Sequence, residues 1–216
     1  MIYLRQDFNI HPAAPATRDR FVELAGESLL PGYERLGARL LAAWSNNAEW
    51  FFQITHILEF DDLPSFGHFR DSASRDAAWS QARERVAALA PERREELLEP
   101  VGPVPEDAIH RAIEESQEQP AETYSFANLD VNPGDMDAFC KLLGMGAPHL
   151  PIIASWKPLA GSSSRVIDVW SGDVQQGYAP TNDLLDAFFT PLREIAPREY
   201  VVRYFPLPYS PLPPLR

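Results

Sequence analysis

The sequence predicts an α+β protein in which one βαββαβ unit, the ferredoxin-like arrangement, is written twice in a single chain. Three observations carry that reading. Trp50 to Asp62 is so rich in β-branched and aromatic residues that it reads as a strand, with one ionisable group, His56, in its apolar middle. A weaker copy lies 112 positions downstream, where Asp168 stands for His56, Val169 for Ile57, Trp170 for Leu58 and Asp173 for Asp61, and where Trp156 likewise matches Trp44. The opening strand recurs 121 positions on, Tyr124 matching Tyr3, Leu129 Phe8, Val131 Ile10 and Pro133 Pro12. The expected organisation is a first repeat over 1–105, a linker over 106–121 and a second repeat over 122–216.

In chain order, Ile2 to Ile10 alternates with Ile2, Leu4, Phe8 and Ile10 on one face and Tyr3, Arg5, Asp7 and Asn9 on the other, as a half-buried strand does. His11-Pro12 ends it, Thr17 is the expected N-cap of a helix to Leu30, and Pro31-Gly32 is its expected stop. Leu36 to Trp44 and Trp50 to Phe60 form a hairpin across Ser45-Asn46-Asn47. A helical region over 62–90 bends near Ser72 to Ser74, and the proline-bearing stretch 95–104 reads as a short edge strand. Residues 106–121 suggest a linker helix. The second repeat then follows as a strand from Glu122 to Pro133, a helix from Gly134 to Leu143, a hairpin of 150–159 and 165–171 across Gly161 to Ser164, a helix from Asn182 to Ile195, and a last strand from Glu199 to Leu207.

Charge narrows the partners. With 19 basic and 31 acidic residues the net charge is −12, which disfavours nucleic acid and anionic membrane, since both require a cationic surface. A single cysteine, Cys140, excludes an internal disulfide and sits among apolar helix positions, so it reads as core. No apolar run approaches the ~20 residues of a membrane span, and a cytoplasmic location is the default expectation.

A four-stranded sheet with helices on one face leaves the other face to be covered, and two such faces closing on each other predict an interior lined by inward side chains. Because the first strand's helix side is apolar, Tyr3, Arg5 and Asp7, with Tyr124, Phe126 and Asn128 from the repeat, are expected to line it. His56 is the candidate acid-base group, because imidazole titrates near neutrality; the alternative is a hydrogen-bonded core histidine. Asp168 is its candidate partner. Arg5 and Tyr124 would polarise a substrate, and Trp44, Trp156 and Trp170 are core or aromatic wall. No metal site is expected, since His11, His68, His110 and His149 lack ligand spacing, and there is neither a phosphate-binding glycine loop nor a nucleophile elbow.

Three stretches resemble the NIPSNAP family of the dimeric α+β barrel superfamily. They are the Met-Ile-Tyr opening, Thr55-His-Ile-Leu-Glu-Phe-Asp-Asp-Leu63 followed by Arg75-Asp-Ala-Ala-Trp79, and the ending Phe205-Pro-Leu-Pro-Tyr-Ser-Pro-Leu212. Asp168 departs from the pattern, standing where the family usually has histidine. The resemblance implies two ferredoxin-like sheets facing as a barrel. With the candidate residues it leads to the expectation of a cofactor-independent enzyme (isomerase, lyase, cyclase or monooxygenase) acting on a hydrophobic or aromatic small molecule. The alternatives it implies are a non-catalytic module binding a small molecule or a partner protein, and a haem-dependent dehydratase-like enzyme. A homodimer is compatible with each.

Overall fold

The structure, a computed structural model, describes residues 1–162, 164–173 and 183–215. The expected helix start at Asn182, and Ser163 in the expected turn, lie outside the described residues. Two compact units make up the chain: Met1–Leu97 with Phe205–Arg216, and Leu98–Tyr204.

The first unit contains β1 (Ile2–Asn9), α1 (Pro15–Leu24), α2 (Leu30–Arg35), β2 (Arg39–Asn46), β3 (Gln53–Phe60), α3 (Leu63–Arg75), α4 (Ala77–Leu89) and the first part of β4 (Glu92–Pro100). The second contains α5 (Ala108–Ser116), β5 (Tyr124–Asp130), α6 (Met136–Gly146), β6 (Ile152–Pro158), β7 (Arg165–Ser171), α7 (Asp183–Ile195) and most of β8 (Arg198–Pro206). The hydrogen-bonding order is β1-β3-β2-β8-β5-β7-β6-β4, closed on itself. This is the α+β class expected, two ferredoxin-like repeats with the strand order of a dimeric α+β barrel. No helix of the described residues is long and apolar enough to cross a membrane.

Register confirms the internal repeat residue by residue. In the first unit Gln6 pairs with His56 and Ala43 with His56; in the second, Ala127 pairs with Asp168 and Ser155 with Asp168, the same positions at the two sequence offsets. Even the irregularity is copied, because the β2–β3 ladder shifts between Leu40 and Ala42 and the β6–β7 ladder between Ile152 and Ala154. Each bulge inserts one residue and so resets which side chains of the strand face the helices.

Leu4, Phe8, Ile54, Leu58 and Phe60 join Phe21, Leu29, Tyr33, Phe69 and Trp79 in one apolar cluster between sheet and helices of the first unit. In the second, Ala127, Leu129, Val166 and Trp170 join Phe139, Leu143, Phe188 and Leu192.

Three punctuation expectations are corrected. Thr17 is not the N-cap of the first helix, which starts at Pro15 after Ala14 and holds Thr17 buried in its first turn. Pro31-Gly32 does not end the first helix, which passes through a π-helical turn at Ala25–Leu29 and continues to Arg35. Pro31 stands two residues beyond the π-helical turn, and Gly32 gives room to Trp79, two of whose ring atoms would lie 2.6 Å and 2.7 Å from a Cβ there. The long helix breaks at Asp76 and not near Ser72 to Ser74: its backbone is extended (φ −86°, ψ 110°) and its carboxylate accepts from Trp79 N at 2.6 Å, capping α4. The proline-bearing strand also begins earlier than expected, and Pro103 lies outside it.

Candidate active site in the first unit

Side-chain parity decides which candidates share a face. Directly opposite residues of an antiparallel pair project to the same side, so Gln6 opposite His56 places the imidazole with Leu4 and Phe8, towards the helices. Asp7 opposite Thr55, and Arg5 opposite Ile57, lie on the other side with Tyr3. By the same count Trp44 shares the Thr55 face. In the second unit Tyr124, Phe126, Asn128 and Trp156 face away from the helices, whereas Asp168 and Trp170 face them.

The expected set of eleven therefore separates, eight on the helix-free faces of their own sheets and three, His56, Asp168 and Trp170, in the helical layers. His56 and Asp168 each find hydrogen-bond partners within their own unit. Both ring nitrogens of His56 are engaged inside the first unit, and Asp168 accepts from Ser155 Oγ at 2.5 Å inside the second. A one-residue error of facing moves every side chain of a strand to the other surface, and a histidine in a strand apolar on both faces carries no mark of which side it takes.

His56 is wholly buried in an aromatic box, with the rings of Phe8 at 5.2 Å, Tyr209 at 5.7 Å, Tyr33 at 5.9 Å and Phe21 at 6.1 Å. Burial lowers its pKa from 6.5 to about 3, so the ring is neutral at ordinary pH. Its neighbours fix the tautomer. Glu95 Oε1, 3.4 Å from the Arg93 guanidinium, accepts from Gln6 Nε2 at 2.8 Å, which turns Gln6 Oε1 towards Tyr33. Tyr33 donates to that oxygen at 2.9 Å, so its own oxygen accepts from His56 Nδ1–H at 3.0 Å. Nε2 is then bare and accepts from the Tyr209 hydroxyl at 2.7 Å. One direction of donation runs from Tyr209 through His56, Tyr33 and Gln6 to Glu95.

Tyr209 reaches this position through the proline-rich end of the chain. Leu207 N donates to Ala43 O, Ser210 N to Leu207 O, and Ala43 N to Ser210 Oγ, each at 2.9 Å, which pins the segment after β8 across β2. Tyr33 and Tyr209 also line a cleft of about 400 Å³ with Leu30, Ala38, Leu40 and Pro211, a mostly apolar wall with exposed Glu34 and Arg39 beside it. That size suits a small organic ligand. Burial pushes both phenols well above the usual tyrosine range, so each stays a neutral hydroxyl.

Sequence reasoning missed both tyrosines. Tyr209 lies in the ending that carries the family resemblance, which was its one available signal; Tyr33 follows a Pro-Gly pair that looks like a turn.

The helix-free face of the first sheet holds a second polar cluster. Asp7 accepts from Thr55 Oγ1 at 2.6 Å and Gln53 Nε2 at 2.8 Å, faces Arg5 Nε at 2.9 Å, and Asn46 donates to Thr55 at 2.9 Å. In the second unit, Phe126 stacks on Tyr204 at 4.0 Å, Asn128 donates to Phe126 O, and burial pushes the Tyr124 phenol up to about 12. Asp168 is pushed up to about 7, chiefly by burial.

Haem ligation by His56 does not fit this geometry, because neither ring nitrogen is open. Among the described residues no group of three or more His, Cys, Asp or Glu is placed to hold a metal ion.

No family model matches the sequence, and no curated protein matches it. Solved structures do match in fold. A candidate monooxygenase from Lactobacillus acidophilus superposes with a TM-score of 0.60 at 11% identity, covering 94% of this chain and 92% of its own. An anthrone oxidase-like protein gives 0.55 at 11% identity, covering 95% and 91%. A NIPSNAP domain protein from Burkholderia xenovorans covers 49% of this chain and all of its own, at 17% identity and a TM-score of 0.43. At these identities the likeness is one of fold alone.

Proposed function

We propose that the protein is a cofactor-independent enzyme that moves a proton on a hydrophobic or aromatic small molecule bound in the Tyr33–Tyr209 cleft. One observation carries the reading: a hydrogen-bond chain of fixed direction begins at a residue in the wall of an apolar cleft of ligand size. Tyr209 spends its own hydrogen on His56, so its oxygen meets a substrate as an acceptor. A substrate O–H or C–H docked there gives its proton to Tyr209 as the phenol proton passes to Nε2. An imidazole held near 3 is a weak base, so the substrate proton must already be acidic, as on a carbon between two carbonyls or on a conjugated ring hydroxyl. That chemistry belongs to the isomerases, lyases, cyclases and cofactor-free oxygenases expected from the sequence. The candidate monooxygenase and anthrone oxidase-like neighbours fit a substrate of this kind.

A second reading, a non-catalytic binding module, is favoured by the satisfied state of the chain, in which both nitrogens of His56 already have partners. Turnover separates the two. Acidic phenols and β-dicarbonyls are screened by thermal shift, and those that bind are followed for conversion by the wild type and by Tyr209→Phe. Loss of about 10²-fold or more in kcat, with binding retained, supports catalysis. Equal turnover by the variant overturns the role of Tyr209, and binding without conversion of any ligand supports the module.

A further inference from the structure

The chain of donors that begins at Tyr209 ends beside a second cleft of the same unit. This cleft, of about 550 Å³, lies along α4 and the turn into β4, and Ser80, Arg83, Glu84, Pro91 and Arg93 are among its lining. Two guanidinium groups against one carboxylate make it locally cationic on a chain of net charge −12. Arg83 is exposed and has no ion-pair or hydrogen-bonding side-chain partner among the described residues. Arg93 has a loose one: 3.4 Å to Glu95 Oε1 exceeds the ~2.7–2.9 Å of a close charged hydrogen bond, and the same oxygen takes Gln6 Nε2 at 2.8 Å. Glu95 is thus held by Gln6 and merely approached by Arg93, whose planar fork is free to turn towards an oxyanion in the cleft.

We propose that this cleft binds a small, doubly charged oxyanion, a phosphate or a dicarboxylate, between Arg83 and Arg93, and that its occupancy is transmitted to the Tyr209 cleft through Glu95, Gln6, Tyr33 and His56. The direction of the effect follows from that of the donors. An anion that takes Arg93 removes positive charge from beside Glu95, whose carboxylate then pulls harder on the Gln6 amide. Each donor in the line is polarised the same way, ending with an Nδ1–H given more fully to Tyr33 and an Nε2 that is a better acceptor for Tyr209. The anion therefore makes the His56–Tyr209 hydrogen bond stronger. This holds whether or not the Tyr209 cleft turns a substrate over.

The full chain, ¹⁵N-labelled at histidine, is titrated with inorganic phosphate and separately with succinate at constant ionic strength kept by sodium chloride. Saturable binding is expected, weakened about tenfold by Arg83→Gln and again by Arg93→Gln, both at exposed positions. The His56 Nε2 resonance is expected to move along the same saturation curve, and to stay still in Gln6→Leu while the anion still binds. A response to phosphate alone or to succinate alone identifies the ligand class. Absence of saturable binding to either, or binding untouched by both arginine substitutions, overturns the site; binding that leaves the His56 resonance unmoved in the wild type overturns the coupling.

Discussion

His56 Nε2 lies 2.7 Å from the hydroxyl of Tyr209, a residue 153 positions further along the chain. The contact closes the aromatic box and leaves no nitrogen of a fully buried imidazole unpaired. Replacing Tyr209 by Phe keeps the ring and deletes the donor, stranding a buried acceptor. The expected loss is about 1–3 kcal/mol of unfolding free energy, read as a shift of the urea midpoint at unchanged slope. In the wild type, long-range ¹H–¹⁵N spectra are expected to show the Nδ1–H tautomer. The Nε2–H form would mean that the direction assigned to the hydrogen-bond chain is reversed.

Opposite pH slopes are expected from the two repeat-related positions. His56 goes from 6.5 unfolded to about 3 folded, so as pH falls through that window the unfolded chain takes up a proton the folded one refuses, and stability drops. Asp168 goes from 3.8 to about 7, so the folded chain keeps a proton the unfolded one loses, and stability drops as pH rises across that window. Each slope approaches ~1.4 kcal/mol per pH unit, and in the wild type they largely cancel where the two windows overlap, between 3.8 and 6.5. Asp168→Asn removes only the second, so the variant gains stability at pH 8 and shows a steep acid-side loss; His56→Leu does the converse. Urea midpoints from pH 4 to 8 measure both, and parallel profiles for the two variants would contradict the assignment.

Much of the fold was legible because a β-repeat writes itself in alternation: the 112- and 121-residue offsets predicted pairings that the ladders reproduce, down to a shared bulge. The facing of β1 was legible too, since Leu4 and Phe8 against Arg5 and Asp7 differ in polarity. β3 offered no such contrast. Ile54, Thr55, His56, Ile57 and Leu58 are all buried, so polarity could not assign sides, and only the pairing with β1 places His56 among the helices. Tyr33 and Tyr209 were illegible for another reason: their roles arise from tertiary contacts of a π-turn helix and a chain end, neither of which has a local period.

On the opposite face of the same sheet, Arg5 and Asp7 form a pair whose side chains are 9% and 10% exposed. Removing Arg5 leaves a carboxylate with only the neutral donors Thr55 and Gln53, and Arg5→Met is expected to cost about 3–5 kcal/mol. Asp7→Asn in the same chain removes the stranded charge, so the double variant is expected to be more stable than Arg5→Met alone. Additive losses would show that the two groups do not act as a pair.

The position of Tyr33, and through it the tautomer of His56, depends on the absence of a side chain at the preceding residue. A Cβ on Gly32 would stand 2.6 Å and 2.7 Å from two ring atoms of Trp79, whose ring centre is 5.4 Å from that of Tyr33. Trp79 is 4% exposed and its own backbone nitrogen is fixed by the Asp76 cap, so it has little room to retreat. Gly32→Ala is therefore expected to cost about 1–3 kcal/mol by overpacking, despite alanine's better helix propensity. The displaced indole presses on the Tyr33 ring, lengthening its hydrogen bonds to Gln6 and His56, so the variant's His56 ¹⁵N shifts are expected to move as well. Gly26, in the same helical run, supplies the control, because a Cβ there would meet no atom within 4 Å: Gly26→Ala is expected to leave those shifts in place and to stabilise the fold.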